Sequence, residues 1–139
     1  FSGRKFSNHK STLWSSWVIK SKEANIYFSG DSGYGKHFAK IGDSHGPFDL
    51  ALVECGQYNK MWPDNHMFPK ESAKAGLDLK AKTMMPIHWG AFKLSMHAWT
   101  APIQQIRKEA AALGVPLVIP KIGAPISIET LSEPNTVWW

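Results

Sequence analysis

The fold of this chain is decided by one stretch of sequence, Asn25-Ile26-Tyr27-Phe28-Ser29-Gly30-Asp31-Ser32-Gly33. Its first five residues are largely aromatic or β-branched, which is typical of a strand. The glycines that follow permit backbone angles that other residues avoid, so the strand is predicted to end in a turn at Gly30. Asp31 therefore stands just beyond a strand end, where its carboxylate can face a ligand.

The flanking sequence predicts more strands. Residues Leu13 to Ile19 pair with the first strand across the polar segment Lys20 to Ala24, which indicates a β-hairpin. Three further short apolar runs have the length of internal strands. They are Phe48 to Val53, Thr83 to Ile87 and Pro116 to Ile119.

Helices are predicted between and after these strands. A short helix is expected over Tyr34 to Ile41 and a longer one over Pro69 to Leu79, with Pro69 in its first turn. After Thr100 the apolar residues recur at helical spacing, and Gly114 is well placed to end that helix. Strands that alternate with helices indicate an α/β layered fold.

Composition limits the class of protein. A chain of 139 residues that is 43% hydrophobic is long enough for one core. No apolar run approaches the roughly 20 residues of a membrane helix, and Phe1 to Lys5 show no signal-peptide pattern. The single cysteine, Cys55, excludes an internal disulfide framework and favours a reducing compartment, so a cytoplasmic location is expected.

The net charge of +5 is unevenly distributed. Residues 1–40 hold seven Lys or Arg against two acids, whereas residues 41–139 hold nine of each. The basic region can attract phosphate or an anionic surface, and a solvated basic face explains it equally well. No basic tract is interleaved with aromatics, so nucleic acid is not an expected partner.

Two polar residues share one local setting. In Pro86-Ile87-His88-Trp89-Gly90 an apolar strand again delivers one polar side chain before a glycine turn, as it does at Asp31. Each alone is better explained structurally, Asp31 as a turn or helix-capping residue and His88 as a hydrogen-bonded histidine. Together, from strand ends at one edge of a sheet, they favour a ligand site. His66, in a polar loop before a helix, is a third candidate. An ordinary surface histidine explains this residue equally well.

The chain resembles the metallo-β-lactamase superfamily, in the branch of N-acyl-phosphatidylethanolamine phospholipase D and related bacterial metal-dependent hydrolases. The similarity runs over nearly the whole chain in order and spacing. It is carried by Leu13 to Trp17, Phe28 to Tyr34, Gly46 to Ala51, His66 with Pro69, and Ile87 to Phe92.

This resemblance implies an αββα sandwich with two divalent metal ions, usually zinc, bound by ligands from both halves of the chain. The His-x-His-x-Asp-His motif of the N-terminal half is absent, and a further family histidine would directly precede Phe1. Residues 1–139 therefore match the C-terminal half of one domain, a mixed sheet with helices on one face. Self-association through its uncovered face is expected.

By resemblance, Asp31 is the bridging carboxylate that orients a metal-bound hydroxide, and His88 is a ligand of the second metal. His66 matches a position that contacts substrate phosphate, although Phe68 and Lys70 depart from the common pattern after it. The aromatic loop from Tyr58 to Trp62 is expected to cover an apolar part of the substrate.

The expected activity is hydrolysis of a phosphodiester or phospholipid-like substrate by the parent protein. A lactonase acting on a phosphorylated sugar acid is the rival enzyme. The alternative outside the enzymes is a non-catalytic half-fold that acts by association with another chain. The 139 residues alone are expected to bind metal weakly and to show no turnover.

Overall fold

The computed structural model describes residues 7, 11, 14–92, 94–131 and 136–139. Four strands form one sheet in the order β1-β2-β3-β4. β1 pairs antiparallel with β2, whereas β2 with β3 and β3 with β4 are parallel pairs. The strands are β1 Trp17–Lys20, β2 Asn25–Phe28, β3 Leu50–Glu54 and β4 Met84–Ile87.

Three α-helices cover one face of this sheet. They are α1 His37–His45, α2 Pro69–Asp78 and α3 Ala101–Leu113. Gly114 ends α3 in the left-handed conformation, at φ 68°. Side chains from all three helices pack in one buried cluster with inward residues of the strands, among them Tyr27, Val53 and Met84. The predicted mixed α/β sheet with helices on one face is confirmed.

Most predicted elements are present, and the hairpin and the first helix differ most from their predicted extent. The hairpin forms, but β1 starts only at Trp17, and residues 12 and 13 lie outside the described part of the chain. The helix predicted over Tyr34 to Ile41 runs instead from His37 to His45. Three glycines between residues 30 and 35 explain the late start, because glycine disfavours helix.

The strand predicted over Pro116 to Ile119 is wrong. Only Leu117 pairs with the sheet, in an isolated bridge to Met84. The carbonyl of Pro116 accepts one hydrogen bond and the amide of Val118 donates another. Pro116 and Pro120 bracket the segment and lack amide protons, which limits the ladder to this short contact.

The sheet face opposite the helices is apolar and partly open. Trp17 and Phe28 are paired across β1 and β2, and Ile19 lies two residues along β1 on the same side. Trp17 is 63% exposed and Ile19 57%. Next to them a small buried cluster forms around Leu50, Val118 and Leu131. Among the described helices, none is long and apolar enough to cross a membrane.

Candidate metal site

The sheet brings Asp31 and His88 to one edge. β2 and β4 both run parallel to β3, so their carboxyl ends lie at the same edge of the sheet. Asp31 follows β2 in the glycine turn, and His88 directly follows β4. Asp31 Oδ1 lies 3.5 Å from His88 Nε2, with both side chains partly open to solvent. The two strand-end residues predicted from the sequence therefore converge.

The backbone at His88 is unusual. Its φ is 64°, in the left-handed region that a residue with a side chain adopts only at a cost. Gly56, after β3, packs directly against this turn, since a Cβ at Gly56 would lie only 1.8 Å from the His88 carbonyl oxygen. Strained backbone of this kind clusters at functional sites, where surrounding structure holds it in place.

His66 joins the pair from the loop before α2. One donor atom each of Asp31, His66 and His88 lies within 4.8 Å of the other two. The loops are in close contact as well, because a Cβ at Gly33 would lie 2.1 Å from the Asp64 carbonyl oxygen. The aspartate and the two histidines that were selected from the sequence thus lie close together in the structure.

The ring of His66 lies beside two other rings. Its centroid is 5.2 Å from that of His88 and 6.3 Å from a ring of Trp14, in stacked arrangements. His66 is only 8% exposed. The interpretation of His66 as a surface histidine is therefore wrong, because the residue is buried.

Glu54 is a neighbour of the site that sequence reasoning missed. This residue ends β3 and is fully buried. Its Oε1 accepts a hydrogen bond from the Met67 amide at 2.6 Å, and its Oε2 lies 3.4 Å from His66 Nδ1. Burial raises the pKa of the Glu54 carboxyl, and the His66 ring opposes that shift. A charged residue closing the apolar run Leu50 to Val53 was the signal available in the sequence.

The donor set suits a divalent metal. A carboxylate and two imidazoles are ligands that zinc and related ions accept, and catalytic zinc sites combine such groups with an open position. The three donors come from separate elements of the chain and lie close enough to share an ion. The residues present therefore fit the divalent metal that the resemblance implies.

Cys55 follows Glu54 but is unsuited to chemistry. It is fully buried, and its thiol lies 3.6 Å from the Ile87 carbonyl oxygen. Burial raises the pKa of the Cys55 thiol well above its usual value. Because the thiolate is the reactive form, Cys55 acts as a core residue.

Tyr58 and Trp62 make structural contacts in the loop after β3. Tyr58 is almost fully buried, stacks on His97 at 4.4 Å and lies 3.4 Å from the amide oxygen of Gln105. The indole N–H of Trp62 donates to the Gln57 carbonyl at 2.8 Å. Contact of either residue with substrate stays a prediction.

A large apolar cavity opens beside His88. Its volume is about 700 Å³. Its walls come mainly from β4, the turn after it and the segment around Pro120. They include Met85, Ile87, Trp89, Phe92, Ile119, Ile122 and Trp138. Neither Tyr58 nor Trp62 lines it.

Comparison with known proteins decides the family. Residues 1–89 match the model of the beta-lactamase superfamily domain. The chain belongs to this superfamily. An uncharacterized protein of Mycobacterium tuberculosis is 42% identical over 126 residues, which are 88% of this chain and 34% of that protein. An N-acyl-phosphatidylethanolamine-hydrolyzing phospholipase D of Caenorhabditis elegans is 35% identical over 94 residues, 66% of this chain and 26% of the enzyme.

The fold comparison agrees with this membership. A metallo-beta-lactamase fold protein from Bacillus subtilis superposes with a TM-score of 0.56 and 20% identity, covering 76% of this chain and 41% of that protein. The predicted resemblance to this superfamily and to its phospholipase branch is confirmed. The chain spans about a third of the length of the mycobacterial relative.

Proposed function

We propose that the full-length protein is a metal-dependent hydrolase that cleaves a phosphodiester or phospholipid-like substrate. The observation that carries this proposal is the convergence of Asp31, His66 and His88 within 4.8 Å at one edge of the sheet. The similarity to a phospholipase D of the same superfamily supports the substrate class.

The proposed roles follow from the chemistry of each side chain. When bound, two divalent ions, which we propose to be zinc, would supply Lewis-acid chemistry and a water with a pKa near neutrality. The Asp31 carboxylate would be the group that holds both ions and orients the attacking water. His88 is a ligand on one side, and His66 presents its ring to the substrate phosphate. Arg4, Lys5 and Lys10 of the basic region lie outside the described residues, so their part in anion binding stays a prediction.

The cavity beside His88 supports a substrate with an apolar part. Its lining is overwhelmingly apolar, and a volume of about 700 Å³ matches that of ordinary ligand pockets. A phosphoester held at His66 and His88 places an attached hydrocarbon group within reach of this cavity. In the proposed arrangement the loop from Tyr58 to Trp62 covers another side of the substrate.

We further propose that the chain is the C-terminal half of the αββα sandwich. Asp31 and His88 are fewer ligands than two zinc ions need, so the other half supplies the rest. The open sheet face at Trp17 and Ile19 is the surface that this half covers. The 139 residues alone then bind metal weakly, do not turn over, and self-associate through the same face. The cytoplasm is the location we propose, in line with the free Cys55 thiol.

The test compares substrates on the full-length protein loaded with zinc. We expect hydrolysis of N-acyl-phosphatidylethanolamine or of a synthetic phosphodiester, with loss of at least 100-fold in kcat/KM in Asp31→Asn, which is about 2.7 kcal/mol of transition-state stabilisation. Asp64→Asn, a matched change of an exposed acid in a neighbouring loop, should keep activity. Hydrolysis of a phosphorylated sugar lactone without phosphodiester cleavage would instead identify the rival lactonase.

A further inference from the structure

Glu54 is fixed by hydrogen bonds of both its backbone and its side chain. Its amide donates to the Ser29 hydroxyl at 3.0 Å, and its carbonyl accepts from the Ser72 hydroxyl at 2.8 Å. Its side-chain Oε1 accepts the Met67 amide proton at 2.6 Å. Backbone and side chain are therefore both fixed, and the second carboxylate oxygen is left facing His66 Nδ1.

A buried carboxylate at this position needs a reason. Removing an ionised carboxyl from water costs several kcal/mol unless a cation or hydrogen-bond donors compensate. Among the residues that the structure describes, the ionisable side chain next to Glu54 Oε2 is His66, whose Nδ1 lies 3.4 Å away. An apolar residue would continue the run from Leu50 to Val53 without that cost. The carboxylate is explained if it acts on the histidine beside it.

The geometry defines what that action is. With Nδ1 next to the Glu54 carboxylate, the proton of a neutral His66 ring is favoured on Nδ1, and Nε2 is left for the site. The ring also stacks on His88, with centroids 5.2 Å apart, and lies 6.3 Å from a ring of Trp14, contacts that restrict its orientation. Carboxylates that accept the second ring N–H of a site histidine fix its tautomer and orientation in this way.

We propose that Glu54 is a positioning residue, which holds His66 with its Nδ1–H toward the buried carboxylate and its Nε2 toward Asp31 and His88. The role of Nε2 in binding substrate rests on the proposed function. The orientation of the His66 ring by Glu54 does not, since it concerns the protein without metal. Glu54 touches neither substrate nor metal in this arrangement.

The direct test is the tautomer of His66, observed by ¹⁵N NMR of the metal-free chain at about pH 8.5, roughly two units above the ordinary pKa of histidine. We expect a single neutral form with the proton on Nδ1. A His66 ring protonated on Nε2 would overturn the proposal, and this measurement needs no variant to fold.

Two substitutions separate the specific effect from a general one. Glu54→Gln keeps the shape but offers one acceptor oxygen for both the Met67 amide and His66, so we expect mixed tautomers at His66. Glu71→Gln is the matched control, since the Glu71 carboxylate accepts the Phe68 amide at 2.9 Å near the same loop. It should leave the His66 signals unchanged. Identical His66 signals in wild type and Glu54→Gln, or equal shifts in both variants, would contradict the positioning role.

Activity of the full-length protein loaded with zinc is the second readout. Loss of such a supporting carboxylate typically costs 10–100-fold in the function of the site it supports, so kcat/KM for a synthetic phosphodiester should fall by about that factor in Glu54→Gln and stay unchanged in Glu71→Gln. If the wild-type chain shows the Nδ1–H form but full-length protein binds no zinc, the proposed function fails while the role of Glu54 stands.

Discussion

Asp31 Oδ1 and His88 Nε2 lie 3.5 Å apart, although two helices and two strands, α1, β3, α2 and β4, separate the two residues along the chain. Two parallel strand pairs produce this proximity, because they place the ends of β2 and β4 at one edge of the sheet. The carboxylate and the imidazole are thus positioned by the backbone. The side chains can exchange their mutual contact for a shared metal ion.

The strained backbone at His88 should be relieved by glycine. His88→Gly accepts a φ of 64° freely, so we expect the free energy of unfolding to stay equal or to rise by up to about 1 kcal/mol while zinc affinity is lost. Lys80→Gly is the matched control, since Lys80 has a φ of 56° and lies outside the site. It should show the same stability change with unchanged zinc binding. Urea unfolding and calorimetry measure both effects, and a large loss of stability in His88→Gly would argue against strain at this position.

Gly56 should be intolerant of any side chain. A Cβ added at position 56 would lie 1.8 Å from the His88 carbonyl oxygen, so Gly56→Ala must displace the turn that carries the imidazole. We expect a loss of at least about 2 kcal/mol in the free energy of unfolding and weaker zinc binding. Gly114→Ala meets no atom within 4 Å and should cost only about 1 kcal/mol for its positive φ, with zinc binding intact. Equal behaviour of the two variants would show that His88 is not supported by Gly56.

The sequence is informative where local rules govern the structure. Alternation of strands and helices, the turn at Gly30 and the helix end at Gly114 all follow from local residue preferences. The meeting of Asp31 with His88 follows from the parallel order of the strands. The burial of His66 does not, because it depends on tertiary packing of a loop against Trp14 and His88. The contact of Glu54 with His66 could not be predicted for the same reason, since only the tertiary fold brings the two residues together.

An ion pair at the start of β3 should give the chain part of its pH dependence. Asp49 accepts the Lys82 ammonium and the Asn25 amide, each at 2.8 Å, and the Lys82 bond is the largest cause that lowers the pKa of Asp49. A depressed carboxyl pKa stabilises the fold above the unfolded value of about 3.9, and this stabilisation is lost as the pH falls through the folded value.

Asp49→Asn should therefore cost about 0.5–1 kcal/mol at neutral pH and nothing in acid. Thermal unfolding between neutral pH and about pH 2 measures the difference from wild type, well below the ordinary Asp pKa. Asp43→Asn is the control, because the Asp43 carboxylate is 70% exposed in its pair with Lys80. A penalty for Asp49→Asn that did not vary with pH would show that the ion pair is not its source.

The open sheet face should govern self-association of the isolated chain. Trp17 and Ile19 form an apolar strip on β1 that is exposed to water, which is unfavourable for an apolar surface. Replacing both with lysine should shift the chain toward monomer in sedimentation velocity. Leu77→Lys changes an equally apolar residue, 49% exposed, on helix α2, which lies on the covered side of the sheet. It should leave association unchanged, and a wild-type chain that is monomeric at every concentration would refute the expectation.

Anomalous X-ray diffraction at the zinc edge, on crystals of the full-length protein grown with zinc, tests the metal site itself. The predicted result is an anomalous peak about 2.0–2.2 Å from a carboxylate oxygen of Asp31, with His88 Nε2 at the same distance from that ion or from a second one beside it. Zinc found only at other residues, with Asp31 and His88 still in contact with each other, would contradict the account.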